Sequence, residues 1–293
     1  MLSALAQPAI LMPQPPYGRS MVFRPRLRAD PRAVLTALGS DFPVEWGVVG
    51  VGESLCSVLG RTIPGLCPFP ALGTPAGTIP STQADLWVFL RGPDRATVFA
   101  RSEQVKSLLA PAFVLDDAID TFAFGGRDLT GYVDGTENPK GRKKIAAALA
   151  ANGTGLAGSS FVGVQRWTHD LAGFNSRSAS ERDNMIGRTQ ETDEELADAP
   201  VTSHVKRTAQ ESFDPEAFML RRSMPWAEAH RQGLEFIAYG RSLDAYDQIL
   251  KRMTGLEDGI VDALFSFSTP ITGGYYWCPP IKDRALDLTA LGL

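Results

Sequence analysis

Hydrophobic residues along the chain fall into two patterns that alternate in a fixed order. Short apolar runs predict strands at Met21 to Leu27, Trp46 to Val51, Asp85 to Leu90 and Ala118 to Phe124. Apolar spacing of three and four predicts helices over Pro31 to Leu38 and Arg95 to Leu109. The second half repeats the theme, with strands at Ser160 to Trp167, Ala217 to Arg222, Glu235 to Tyr239 and Phe265 to Thr272. Helices are predicted from His169 to Phe174 and from Asp244 to Met253. Strand-helix-strand-strand-helix-strand taken twice describes an α+β protein of duplicated ferredoxin-like domains with antiparallel sheets.

An internal echo supports duplication. Val44 to Leu55 and Leu234 to Leu250 both read as an apolar strand, a glycine, one residue, Ser-Leu and a helix, with Ser54 and Ser242 predicted to open or cap the helix. Between the halves, a helical stretch from Lys143 to Ala151 leads into a glycine-rich exit that ends near Gly158. The expected organisation is an N-terminal extension over 1–20, one ferredoxin-like domain over 21–150 and a second over 151–293. The segment from Arg177 to Asp198 is polar and charged, and reads as a surface loop with short helices rather than a calcium loop.

Composition narrows the partners. A chain of 293 residues with 44% hydrophobic and 21% charged residues supports a large core. The net charge of −4 gives no electrostatic reason to expect nucleic acid or an anionic membrane. No run of eighteen apolar residues occurs, so no transmembrane helix is expected. Cys56, Cys67 and Cys278 are an odd set that suits free thiols in a reducing compartment, and the proline-broken N-terminus does not read as a signal peptide. The cytoplasm is the expected location.

Chemistry concentrates in the stretch from Arg127 to Pro139, where Gly131 and Gly135 bracket Asp134. Glycine tolerates positive φ and lets another group approach the backbone closely, so the stretch reads either as a loop that aims a carboxylate or as a plain Asp-Gly turn. Further on, Ser203 to Thr208 holds an isolated imidazole, and Phe218 to Trp226 carries arginines on an apolar run. The chain has only three histidines, His169, His204 and His230, and lacks zinc, nucleotide-binding and hydrolase signatures. One imidazole does suffice to hold a haem iron with the opposite face left open. Thiolate ligation through Cys67-Pro68 or Cys278-Pro279 is the weaker alternative, since prolines there simply end strands.

The ordered set Gly131-Tyr132-Val133-Asp134-Gly135-Thr136-Glu137-Asn138-Pro139, Ser203-His204-Val205-Lys206-Arg207 and Leu220-Arg221-Arg222-Ser223-Met224-Pro225 resembles the dye-decolourising peroxidase family. The likeness runs from about Trp46 to Pro280 and is greatest to the bacterial cytoplasmic branch, the P or B type. It implies a haem b in the C-terminal half with His204 as the proximal ligand to the iron. It also implies Asp134 and Arg221 over the distal face and Ser223 in the same pocket, where the branch can carry asparagine instead.

By position, Asp262 is the candidate carboxylate that orients His204, its alternative being an ordinary helix-surface residue. Arg207, three residues after His204, is the candidate partner of a haem propionate, its alternative being a solvated arginine. The implied reaction uses hydrogen peroxide to oxidise dyes, phenols and other small aromatic reductants through a ferryl haem. A homo-oligomer of at least two subunits is implied, with an encapsulating shell among the candidate partners and the apolar tail Leu286 to Leu293 as a surface that docks on a neighbour. The competing class is a protein that stores, delivers or strips haem, which would need His204 but not the Asp134 and Arg221 pair.

Overall fold

The computed structural model describes residues 2–293. Ten strands build the main sheet: β1 (Tyr17–Pro25), β2 (Gly47–Val51), β3 (Leu86–Gly92), β4 (Phe113–Phe122), β5 (Ser160–His169), β6 (Leu220–Arg221), β7 (Met224–Ala227), β8 (Gln232–Gly240), β9 (Ser268–Pro270) and β10 (Gly274–Cys278). Every pairing is antiparallel. The order β4-β1-β3-β2 in the first half recurs in the second as β10-β5-β8-β6, with β7 also on β8 and β9 also on β5. A strand order of four-one-three-two with helices between the first two and the last two strands is the ferredoxin-like plan, present twice.

The halves do not form separate sheets. Val51 of β2 pairs with Trp277 of β10, which joins them edge to edge. The sheet then curls until its edge strand β4 reaches the second half, where Asp117 meets Arg166 of β5 at 2.7 Å and Thr121 meets Met224 of β7. Trp87, Phe89, Val164, Ile237 and Tyr276 fill one core cluster of the curled sheet, while the helix-covered face buries Leu38, Leu55, Val105, Leu109, Ile249 and Leu250 in the other. Among the described residues no helix is long and apolar enough to cross a membrane.

Several elements differ from the sequence expectation. The first strand begins at Tyr17, inside the stretch read as an extension, and Gln7 before it is fully buried, donating to the Val49 and Pro279 carbonyls at 2.9 and 3.0 Å. Ser54 lies in the first turn of the helix Glu53–Val58 and Ser242 just ahead of Asp244–Met253, but Gly52 and Leu243 hold the cap positions, and the Ser54 hydroxyl donates to Asp85 at 2.6 Å. The strand expected over Phe265 to Thr272 is confined to Ser268–Pro270, and the further strand Gly274–Cys278 is buried on both faces, so it shows no polar alternation. Leu286, Leu288 and Leu291 of the tail pack into the chain's own core rather than standing out as a docking surface.

Candidate active site

A cavity opens in the second half, between strands β5 and β8 and the helix Asp244–Met253. Its wall is mainly apolar, with Trp167, Ile186, Met219, Leu234, Phe236 and Leu250. The ionisable groups facing it are Asp128, Asp134, His169, His204, Arg221 and Tyr246.

His204 opens a helix of one turn, His204–Arg207. Its Nδ1 lies 2.8 Å from Asp262 Oδ2, and the other oxygen of that carboxylate accepts from the Leu264 amide at 2.8 Å. Asp262 is buried, caps the 3-10 helix Ala263–Ser266, and is tied to the Met253 carbonyl through its own amide. An imidazole held this way has one nitrogen engaged and the other free for a ligand, and the carboxylate raises its donor strength. The surface-residue alternative for Asp262 is thereby excluded.

Asp134 sits on a hairpin closed by the bridge between Arg127 and Val133. Both glycines of the loop carry positive φ, and each has a side chain pressed against it. A Cβ on Gly131 would meet the Gln190 amide at 2.4 Å, and one on Gly135 would meet the Asn138 amide at 2.6 Å. Close approach therefore explains the glycines as much as backbone freedom does. Asn138 is the link to the next strand: its Oδ1 accepts from the Arg221 amide at 2.8 Å and its Nδ2 donates to the Arg221 carbonyl at 3.2 Å. Desolvation by the enclosing protein pushes the Asp134 carboxyl up, and the Arg221 guanidinium opposes the rise without cancelling it. Arg221 Nε is buried without a hydrogen-bond partner.

The model of the Dyp-type peroxidase C-terminal family matches residues 125–283, which contain all of these groups. A dye-decolorizing peroxidase from Mycobacterium tuberculosis is 35% identical over 224 residues, covering 74% of this chain and 67% of its own. The chain belongs to the dye-decolorizing peroxidase family. Its fold superposes on the dye-decolorizing protein from V. cholerae with a TM-score of 0.85 at 28% identity, covering 97% of this chain and 98% of that one. A variant of DypB from Rhodococcus jostii RHA1 in complex with heme gives a TM-score of 0.86 at 29% identity, covering 92% and 95%.

Within this dye-decolorizing peroxidase, the cavity gathers His204, Asp134 and Arg221 with Asp262 behind the imidazole. Ser223 is buried next to it, in a small recess that Asp134, Gln14, Phe124 and Arg127 also line, and its hydroxyl has no partner. Arg207 departs from expectation. Its guanidinium is buried against Asp258 at 2.7 and 2.8 Å and donates to the Arg252 carbonyl at 2.6 Å, away from the cavity. The helix carrying it is a single turn, and the C-terminal end of Asp244–Met253 offers the carbonyl that a cation prefers.

Three contributors carried no sequence signal of their own. Gln190 and Arg188 lie in the polar segment read as a surface loop, yet Gln190 Nε2 donates to the Thr130 carbonyl at 2.7 Å and Arg188 pairs with Glu137 at 2.5 Å. That segment straps the Asp134 loop in place. Asn138 stood inside the quoted motif, and only the structure gives it a partner.

Proposed function

We propose that the protein is a haem b peroxidase that uses hydrogen peroxide to oxidise dyes and phenolic or other aromatic donors. The observation that carries the reading is one apolar cavity faced both by a carboxylate-backed imidazole and by a carboxyl and a guanidinium. This donor set fits an iron porphyrin: His204 would ligate the iron, and the apolar wall with Trp167, Phe236 and Leu250 would enclose the ring. When bound, the haem supplies the metal centre that binds peroxide and holds the oxidising equivalents for donors.

The chain's own groups manage protons and charge. Asp134 takes the proton that peroxide gives up on binding and returns it to the departing oxygen. Arg221, permanently charged, stabilises the hydroperoxide anion and the negative charge that grows on the leaving oxygen. Ser223 orders water behind Asp134. A haem-handling protein would require neither Asp134 nor Arg221, so the pair favours the enzyme. Assembly into at least a dimer and residence in the cytoplasm belong to the same reading, the latter supported by three free cysteines.

The test is haem titration followed by peroxide mixing in a stopped-flow spectrometer. His204→Ala is expected to abolish the Soret shift on haem addition. Asp262→Asn is expected to keep the shift but lower haem affinity on the order of ten- to a hundredfold, the usual cost of losing a carboxylate behind a ligating histidine. Asp134→Ala and Arg221→Ala are expected to bind haem normally and react slowly with peroxide. Haem held by His204 and inert to peroxide in the wild type would point to haem handling instead.

A further inference from the structure

We propose that the small recess behind Asp134 is the port by which peroxide reaches that carboxyl, and that Gln14, Ala123 and Phe124 at its rim set the size of hydroperoxide admitted, an inference that rests on the peroxidase reading. A porphyrin ligated by His204 takes up the apolar space that Trp167, Phe236 and Leu250 enclose. Peroxide then has to reach Asp134 from a side that the porphyrin does not fill. The recess is such a side. Asp134 and Leu234 line both it and the cavity, so the two spaces meet at the carboxyl that handles the peroxide proton.

Three segments distant in the chain build the recess. The stretch after β4 gives Ala123, Phe124 and Gly126, the break between β6 and β7 gives Ser223, and the stretch before β1 gives Gln14. Pairing with β8 lapses over Arg222 and Ser223, between the pair of Arg221 with Ala238 and the pair of Met224 with Glu235. The Gln14 side-chain amide takes up the Ser223 carbonyl there. Arg222 Nε donates to the Met12 carbonyl at 2.7 Å and Arg91 donates to the Pro13 carbonyl at 3.3 Å, so two guanidinium groups tie down the segment that carries Gln14. One wall of the recess is thus a strap fixed to the strand run that carries Arg221.

Exposure falls along the recess. Gln14, Ala123, Phe124 and Gly126 are exposed, Ser223 and Met224 further in are buried, and Asp134 at the inner end is half-buried. That order describes a path from solvent to the carboxyl. Ser223 is fully buried, lines the recess, and has a hydroxyl without a hydrogen-bond partner. A buried hydroxyl in that state calls for a small polar molecule to complete it, and peroxide, like water, both donates and accepts. Arg127, the cation of the wall, is engaged by the Gly131 and Gln190 carbonyls at 2.7 and 2.8 Å. The rim itself offers an amide, a methyl and a phenyl group, a lining that passes an uncharged hydroperoxide and discriminates by width.

The experiment mixes ferric holoprotein with hydrogen peroxide, with tert-butyl hydroperoxide and with cyanide in a stopped-flow spectrometer, and compares wild type with Ala123→Trp, Phe124→Ala and Gln14→Ala. Cyanide reports access without turnover. Ala123→Trp is expected to slow both the peroxide reaction and cyanide association on the order of tenfold, and to slow cyanide dissociation by the same factor, because a barrier on the route changes both rates and leaves the equilibrium alone. Phe124→Ala and Gln14→Ala are expected to speed the reaction with tert-butyl hydroperoxide on the order of tenfold, while the hydrogen peroxide rate stays within about twofold of wild type.

A distorted site would behave differently, since it would change the cyanide dissociation constant. A rate loss accounted for by such a change would overturn the port, and so would wild-type peroxide and cyanide rates in Ala123→Trp. An unchanged preference between the two hydroperoxides in Phe124→Ala would overturn the rim as the filter for size. If Ala123→Trp does not fold, Phe124→Ala decides. A wild-type holoprotein inert to peroxide would overturn the peroxidase reading instead, and the cyanide rates would still test the port.

Discussion

Asn138 and Arg221 exchange two hydrogen bonds, the side-chain amide of one clamping the backbone amide and carbonyl of the other at 2.8 and 3.2 Å. The loop that aims Asp134 and the strand that carries Arg221 are separate in the chain, and this clamp sets the carboxyl and the guanidinium in register. A misplacement of about 1 Å at a reacting group costs on the order of a hundredfold in rate.

Asn138→Ala is therefore expected to lower the rate of peroxide reaction about ten- to a hundredfold while haem affinity stays at the wild-type level. Gly135→Ala should show the same split, because its methyl group would occupy the space of the Asn138 amide, at 2.6 Å, on a backbone with φ of 83°. Stopped-flow rates set against haem titrations check both. A loss of haem binding in parallel with rate would show that the clamp holds the cavity rather than the pair.

How much of this was legible depended on whether a residue's partner lay within the same motif. The duplicated strand order followed from periodicity because β1 and β3 alternate or run apolar as their burial demands. Asp134, His204 and Arg221 were named from the ordered motifs that resemble the family, and the structure brings all three to one cavity. Asp262 was named by position, and the structure holds it buried, 2.8 Å from His204 Nδ1. The role of Arg207 was not legible: spacing along a helix places a side chain on a face, but the Asp258 loop that captures it is fifty-one residues away. Gln190 was invisible for the same reason, since a polar residue in a polar segment gives no hint that its amide fills the space beside a glycine.

The Arg207 and Asp258 pair gives a prediction that separates structural from haem-binding roles. Arg207 is 5% exposed and bidentate to a carboxylate that keeps partial contact with water. Arg207→Ala should lower the melting temperature of the apoprotein, by a loss of about 1–3 kcal/mol for charge-assisted hydrogen bonds and packing. Haem affinity should be unchanged once measured below the new melting point. An apoprotein of wild-type stability whose haem affinity had fallen would mean that the side chain swings to the haem instead.

Asp134 ties function to pH and to stability with opposite signs. Its carboxyl is pushed above the ordinary aspartate value of about 3.9 by desolvation, with Arg221 holding it partly down. The ionised form is the one that accepts the peroxide proton, so activity falls as pH drops through the raised value. The acid limb should lie above about pH 3.9, within an optimum on the acidic side of neutrality, and Arg221→Gln should move that limb upward by removing the opposing charge. In the apoprotein the folded state binds the Asp134 proton more tightly than the unfolded chain does. The resulting stabilisation is fully present below the unfolded value and is lost as pH rises through the folded one. Asp134→Asn, which cannot ionise, should therefore melt higher than wild type at neutral pH, and the advantage should shrink as the pH is lowered past the folded value. Thermal melts of both apoproteins across pH 3 to 8 would show it. Curves that stayed parallel through that range would mean that the Asp134 carboxyl is as well solvated in the folded protein as in the open chain.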